Sequence, residues 1–116
     1  MKKENLVQKK SYSFALKIVK LVGEFPKRNE GFVIGRQLLQ AGTSIGANVE
    51  EAIGAFSKED FIYKMNIALK EARETHYWLR LIRDSNLITQ DVQNLIDEAL
   101  ELVKIITSIV KTSQTK

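Results

Sequence analysis

The chain has 116 residues, a net charge of +4 and no cysteine. That length suits a single domain, residues 1–116, with one core. The lack of thiols excludes disulfides and thiolate metal sites. No apolar run approaches the ~20 residues of a membrane span. The start, MKKENLVQKKSYSF, is basic but lacks the apolar block of a secretory signal. A cytoplasmic protein without membrane contact is expected. The charge is uneven, at +6 over residues 1–28 and −2 over the rest. A basic segment of this kind favours a polyanion or an acidic protein surface, although a solvated helix face is its commoner meaning.

In chain order, the first predicted helix runs from near Asn5 to Glu24. Phe14, Ile18, Leu21 and Phe25 supply its apolar stripe. Lys3, Lys10, Lys17 and Lys20 share a different face. Gly23 and Pro26 close the helix, and a turn continues to Gly31. The second helix is predicted over Phe32–Ile53, with Ile34, Leu38, Ala41, Ile45, Val49 and Ala52 facing inward. It carries small residues, Gly42 and Gly46 among them. Each glycine inside a helix costs roughly 1 kcal/mol against alanine, so the pair implies that another helix backbone approaches closely. Ala55 and Phe56 fill a tight connection, which makes the next helix an antiparallel neighbour.

The third helix is predicted from Lys58 to about Asp84. Ser57 is its N-cap, with Asp60 completing a capping-box-like start. Phe61, Met65, Ala68, Ala72, Thr75, Leu79 and Ile82 recur at alternating steps of four and three, the seam of a left-handed helix pair. Asn86 is placed to close the helix in the left-handed conformation, with Leu87 folding back. Thr89 is the expected N-cap of the fourth helix, and Asp91 meets that helix's positive end. Val92, Leu95, Ile96, Ala99, Leu102, Val103, Ile106, Ile109 and Val110 form its apolar side. No segment alternates like a strand. The predicted fold is all-α, an antiparallel up-down-up-down four-helix bundle.

Glu50, Glu51, Glu71 and Glu74 raise the question of a di-iron site. That chemistry needs Glu-x-x-His motifs, and Arg73 stands where the glutamate before His76 would be. No metal and no cofactor is expected. His76 is the chain's one histidine and has no serine or cysteine nucleophile placed with it, so no catalytic residue is assigned. Gly42 and Gly46 lack the strand–loop–helix setting of a phosphate loop. Arg73, Arg80 and Arg83 form one stripe beside Tyr77 that suits phosphates and exposed bases. The bland alternative pairs these arginines with Glu74, Glu98 or Glu101. Tyr63, Ile67, Trp78 and Leu81 lie on another flank of the third helix, as core or as a subunit interface.

The segment AGTSIGANVEEAIGAFSKEDFIYKMNIALKEARETHYWLRLI resembles the central signature of the bacterial four-helix bundle proteins. These include proteins encoded in intervening sequences of 23S ribosomal RNA genes. The accessory variability protein of diversity-generating retroelements is a more distant branch. The resemblance implies a four-helix bundle assembled into a pentamer. By the retroelement branch it also implies basic surfaces that bind nucleic acid and a partner protein. Asn48, Glu51 and Glu74 match polar positions of the family pattern, expected near the contact of the second and third helices.

The combined reading is a non-enzymatic homo-oligomer that presents basic helix faces to RNA or DNA. Its nucleic-acid residues are Lys3, Lys10, Lys17, Lys20, Arg73, Arg80 and Arg83. Gly42, Gly46, Asn48, Glu51 and Glu74 serve helix packing. The alternative is a protein-interaction scaffold that does not touch nucleic acid.

Overall fold

A computed structural model describes the backbone of residues 2–115 and the side chains of residues 6–115. It contains four helices: α1 (Lys2–Val22), α2 (Asn29–Ile53), α3 (Lys58–Ser85) and α4 (Gln93–Gln114). Each packs on its neighbours in sequence, and α4 closes against α1. Side-chain pairs set the directions. Ser11 lies by Gly46, Ile18 by Gly42 and Phe25 by Gly35, so α1 and α2 run antiparallel. Lys10 meets Glu101, Lys17 meets Glu98 and Glu24 meets Gln90, so α1 and α4 do too. The bundle is an elongated up-down-up-down body of 46 × 21 × 18 Å.

Local chemistry places the ends. After Val22, the N–H groups of Glu24 and Phe25 bond to the carbonyls of Leu21 and Val22, tightening the last turn. So α1 stops two residues short of the expected Glu24. By contrast, α2 begins before the expected Phe32. Arg28 is extended, Asn29 takes φ 60°, and the Phe32 N–H bonds back to the Arg28 carbonyl at 3.3 Å. Gly31 is thus a helix residue rather than the end of a turn. A β-carbon there would meet three Pro26 ring atoms at 2.8–2.9 Å. Ala55 and Phe56 lie in the short α2–α3 connection as expected, with Phe56 projecting fully into solvent.

Ser57 caps α3, its Oγ accepting from the Asp60 N–H at 3.0 Å. Asn86 closes it at φ 55°, ψ 36°, and Leu87 packs on the core. Thr89 is not the cap of α4. Val92 occupies that position, and the Asp91 carboxylate supplies the acceptor, taking the Gln93 N–H at 2.9 Å. A buried Val92 anchors the entry, so the helix starts later than a polar cap at Thr89 would set it.

The core is the predicted one at its centre, with Val7 added to it and Leu21, Ile34, Phe61, Leu95 and Val103 only partly buried against it. Phe14, Ile18, Leu38, Ile45, Val49, Met65, Leu79, Ile82, Leu102 and Ile106 are buried together. The partner of the small-residue stripe is α1. A β-carbon at position 42 would lie 2.9 Å from Ile18 Cγ2 and 3.3 Å from its Cβ. At position 46 the neighbours are Ser11 atoms at 3.4–3.5 Å, ordinary contact. The glycines therefore differ: Gly42 makes room for a branched core side chain, whereas Gly46 has space for a methyl group.

Candidate nucleic-acid interface

Helix adjacency decides which basic residues are available. Lys10 Nζ lies 3.2 Å from Glu101 Oε1 and Lys17 Nζ lies 2.9 Å from Glu98 Oε2. The four side chains border one crevice between α1 and α4, floored by Phe14 and Leu102. This part of the lysine face is locally neutral. Lys20 is exposed on α1, and the Lys3 side chain lies outside the described residues.

The arginine stripe has a different setting. Arg73, Arg80 and Arg83 are all exposed on α3. Neither Glu98 nor Glu101 reaches them, being held by the lysines. Arg83 forks onto Asp84, with Nε and Nη2 donating to the carboxylate at 2.7 and 3.3 Å. Its Nη1 donates to Gln93 Oε1 of α4 at 3.0 Å. Arg80 lies 6.0 Å from the centroid of the Tyr77 ring, within cation–π range.

That Arg83–Gln93 bond also fixes register. Equal steps back along antiparallel α3 and forward along α4 bring Arg73 level with Val103 and its neighbour Lys104. Lys111 extends the row by a further two turns of α4. Lys104 and Lys111 border an open groove with Thr107, Ser108 and Thr112. Among the described residues, the side chains of Arg73, Lys104 and Lys111 take part in no ion pair or hydrogen bond. Asp84 and Asp97 are the acids on this side. Asp84 is held by Arg83, and Asp97 accepts from the Gln93 amide at 3.0 Å.

The field registers on His76. Partial burial, then the charges of Arg80 and Arg83, push its pKa below the ordinary 6.5. In the window between that lowered value and 6.5 the unfolded chain binds more protons. This group's contribution to stability is therefore present above 6.5 and lost as pH falls through the window.

The opposite flank of α3 carries acids and lysines together. Burial first, and Glu74 second, raise the Glu71 carboxyl above its usual range, with Lys70 opposing. Glu51 pairs with Lys64 across the α2–α3 contact at 3.3 Å. Asn48 makes no bond across that contact: its amide donates to the Ser44 carbonyl of its own helix at 2.8 Å. Glu74 is half-buried.

Tyr63 is 61% exposed and Leu81 36%, while Ile67 and Trp78 are half-buried. Trp78 packs on the core, edge-on to Tyr77 at 5.2 Å between ring centroids. A second apolar row, Tyr12, Leu16 and Val19, stands about half exposed on α1. The reading of the sequence passed over it, although its spacing of four and three runs beside the buried Phe14–Ile18–Leu21 stripe. Lys104 and Lys111 were passed over as well; their seven-residue spacing was the available signal.

Among the described residues no group of three or more histidine, cysteine or carboxylate side chains is gathered to hold a metal. Nor is any described helix long and apolar enough to cross a membrane.

Fold and surface together define a small four-helix bundle with charged, unevenly partnered helix faces. The chain belongs to the 23S rRNA-intervening sequence protein family, which it matches over residues 3–108. Among solved structures it is similar to a protein of unknown function from the S23 ribosomal protein family of Bacteroides thetaiotaomicron. The two are 46% identical, with a TM-score of 0.85, over 94% of this chain and 98% of that one. No curated protein matches.

Proposed function

We propose that the protein is a non-enzymatic nucleic-acid-binding bundle whose contact surface is the α3–α4 face. The observation that carries this reading is that Arg73, Lys104 and Lys111 form no ion pair among the described residues, beside an exposed Arg80 and an Arg83 that bridges Asp84 and Gln93. The Lys10 and Lys17 charges, by contrast, are matched across α1 and α4. Guanidinium and ammonium groups bind phosphate by neutralising it and releasing counterions, without sequence preference. Binding RNA or DNA over a salt series tests the proposal. Log affinity should fall linearly with log salt, by about 0.7 per phosphate contact on single strands and about 0.9 on duplex DNA. No binding at low salt would refute it, and an acidic protein partner would become the better reading.

The proposal includes self-association, with a pentamer as the expected form. Its support is the exposed apolar row Tyr12–Leu16–Val19 on α1 and the exposed Tyr63 at the far end of α3 from Leu81. Two such apolar surfaces on different faces suit a head-to-tail contact, which closes into a ring when its rotation allows. A repeated basic face would also add weak phosphate contacts through multivalency. Light scattering at micromolar concentration should give a mass several times that of the 13.2 kDa chain. A monomer at that concentration would overturn the assembly.

A further inference from the structure

Beside the α3–α4 face lies a feature that phosphate binding leaves unused. Tyr77, Arg80, Leu81 and Asp84 surround a shallow depression of about 160 Å³ on the outer side of α3. Tyr77 is about half exposed, and Trp78 packs edge-on against it. The ring is therefore braced on one side and open on another. The Leu81 side chain adds an apolar wall and the Arg80 guanidinium a flat cationic one.

The charge of the depression argues against phosphate. Asp84 is part of its lining, and Arg83, the arginine that neutralises Asp84, is not. A phosphate placed there would face a carboxylate, whereas Arg73 and Lys104 form an ion pair with none among the described residues. A planar group fits better: its π-face meets Tyr77 or Arg80, and an amino edge can donate to the spare lone pairs of Asp84.

Resting on the proposed function of this face, we infer that the depression takes an unpaired nucleobase. The preferred ligand is then single-stranded nucleic acid, its backbone on the basic row and one base against Tyr77. A duplex keeps its bases stacked internally and can offer the row only phosphates.

The test compares labelled single-stranded oligocytidine, whose base carries an amino donor, with a GC duplex of equal length. Anisotropy is read at one low salt concentration. Ribo- and deoxyribo-oligomers run in parallel, and the tighter binder identifies the source. Wild type should prefer the single strand. Tyr77→Ala should weaken single-strand binding by about 5- to 150-fold, the range for losing one base–aromatic stack. It should leave duplex binding unchanged, and Tyr77→Phe should retain the preference. The Ala and Phe variants should match wild type in helical circular dichroism, since the side chain is largely outside the core. Equal loss on both ligands, or no loss on either, would overturn the base site while leaving the phosphate row intact. Failure of wild type to bind either ligand would instead refute the parent reading.

Discussion

Gly42→Leu should unfold the bundle at temperatures where wild type is stable, while Gly46→Ala should be neutral or mildly stabilising. The two positions lie on one stripe, one helical turn apart, yet meet different atoms. At position 42 even a β-carbon would sit 2.9 Å from Ile18 Cγ2. Ile18 is fully buried and β-branched, so it has no open rotamer to retreat into. A leucine there forces α1 and α2 apart along their whole contact. Overpacking costs about 1–3 kcal/mol where neighbours can adjust, and more is expected where the neighbour is rigid. At position 46 the new methyl meets Ser11 atoms at 3.4–3.5 Å. Replacing a helix-interior glycine there gains up to about 1 kcal/mol. Thermal melts read the difference directly. Each kcal/mol should move Tm by about 4 °C for a domain of this size. Equal melting temperatures for the two variants would show that α1 does not pack on α2 through Gly42.

The second large effect concerns binding. Replacing Arg73, Lys104 and Lys111 together with glutamine should weaken single-strand affinity about 100-fold at 0.1 M salt. Three lost phosphate contacts lower the salt slope by about 2, and the electrostatic contribution fades toward 1 M. None of the three side chains makes an ion pair or hydrogen bond among the described residues, so the fold should be indifferent to the change. The control is Lys10→Gln with Lys17→Gln. It removes two exposed ion pairs, each worth about 0–1 kcal/mol, and should leave the slope unchanged. The reverse pattern, a flattened slope in the lysine variant alone, would move the site to α1.

The architecture was legible because it depends on local pattern. The α3 seam from Met65 to Ile82, the Ser57 cap and the Asn86 terminator are each readable from neighbours within a few residues. The small-residue stripe on α2 was legible as a close contact, but its partner was not. Nothing near Gly42 in the sequence states that Ile18 will lie on it. The same reason explains the lysines. Lys3, Lys10, Lys17 and Lys20 form a basic face only while α1 is considered alone. Closure of the bundle brings Glu98 and Glu101, more than eighty positions away, onto two of them. Lys104 and Lys111 carry no local signal beyond their seven-residue spacing on the polar side of α4. They matter only once α4 lies beside the arginines of α3. Gly31 was mistaken for a turn residue because glycine near proline usually marks one; here the Pro26 ring lies over the helix start.

His76 is the most direct reporter of the central claim. It is the chain's one histidine, so its ring protons give one titrating NMR signal pair. In the free protein it should titrate below 6.5, held down by partial burial and by Arg80 and Arg83. Phosphates laid along the α3–α4 face would offset those charges and stabilise the imidazolium. Titrated with saturating single-stranded oligocytidine at low salt, the His76 pKa should rise. An unchanged pKa in a complex shown to be saturated would contradict the placement of nucleic acid on this face.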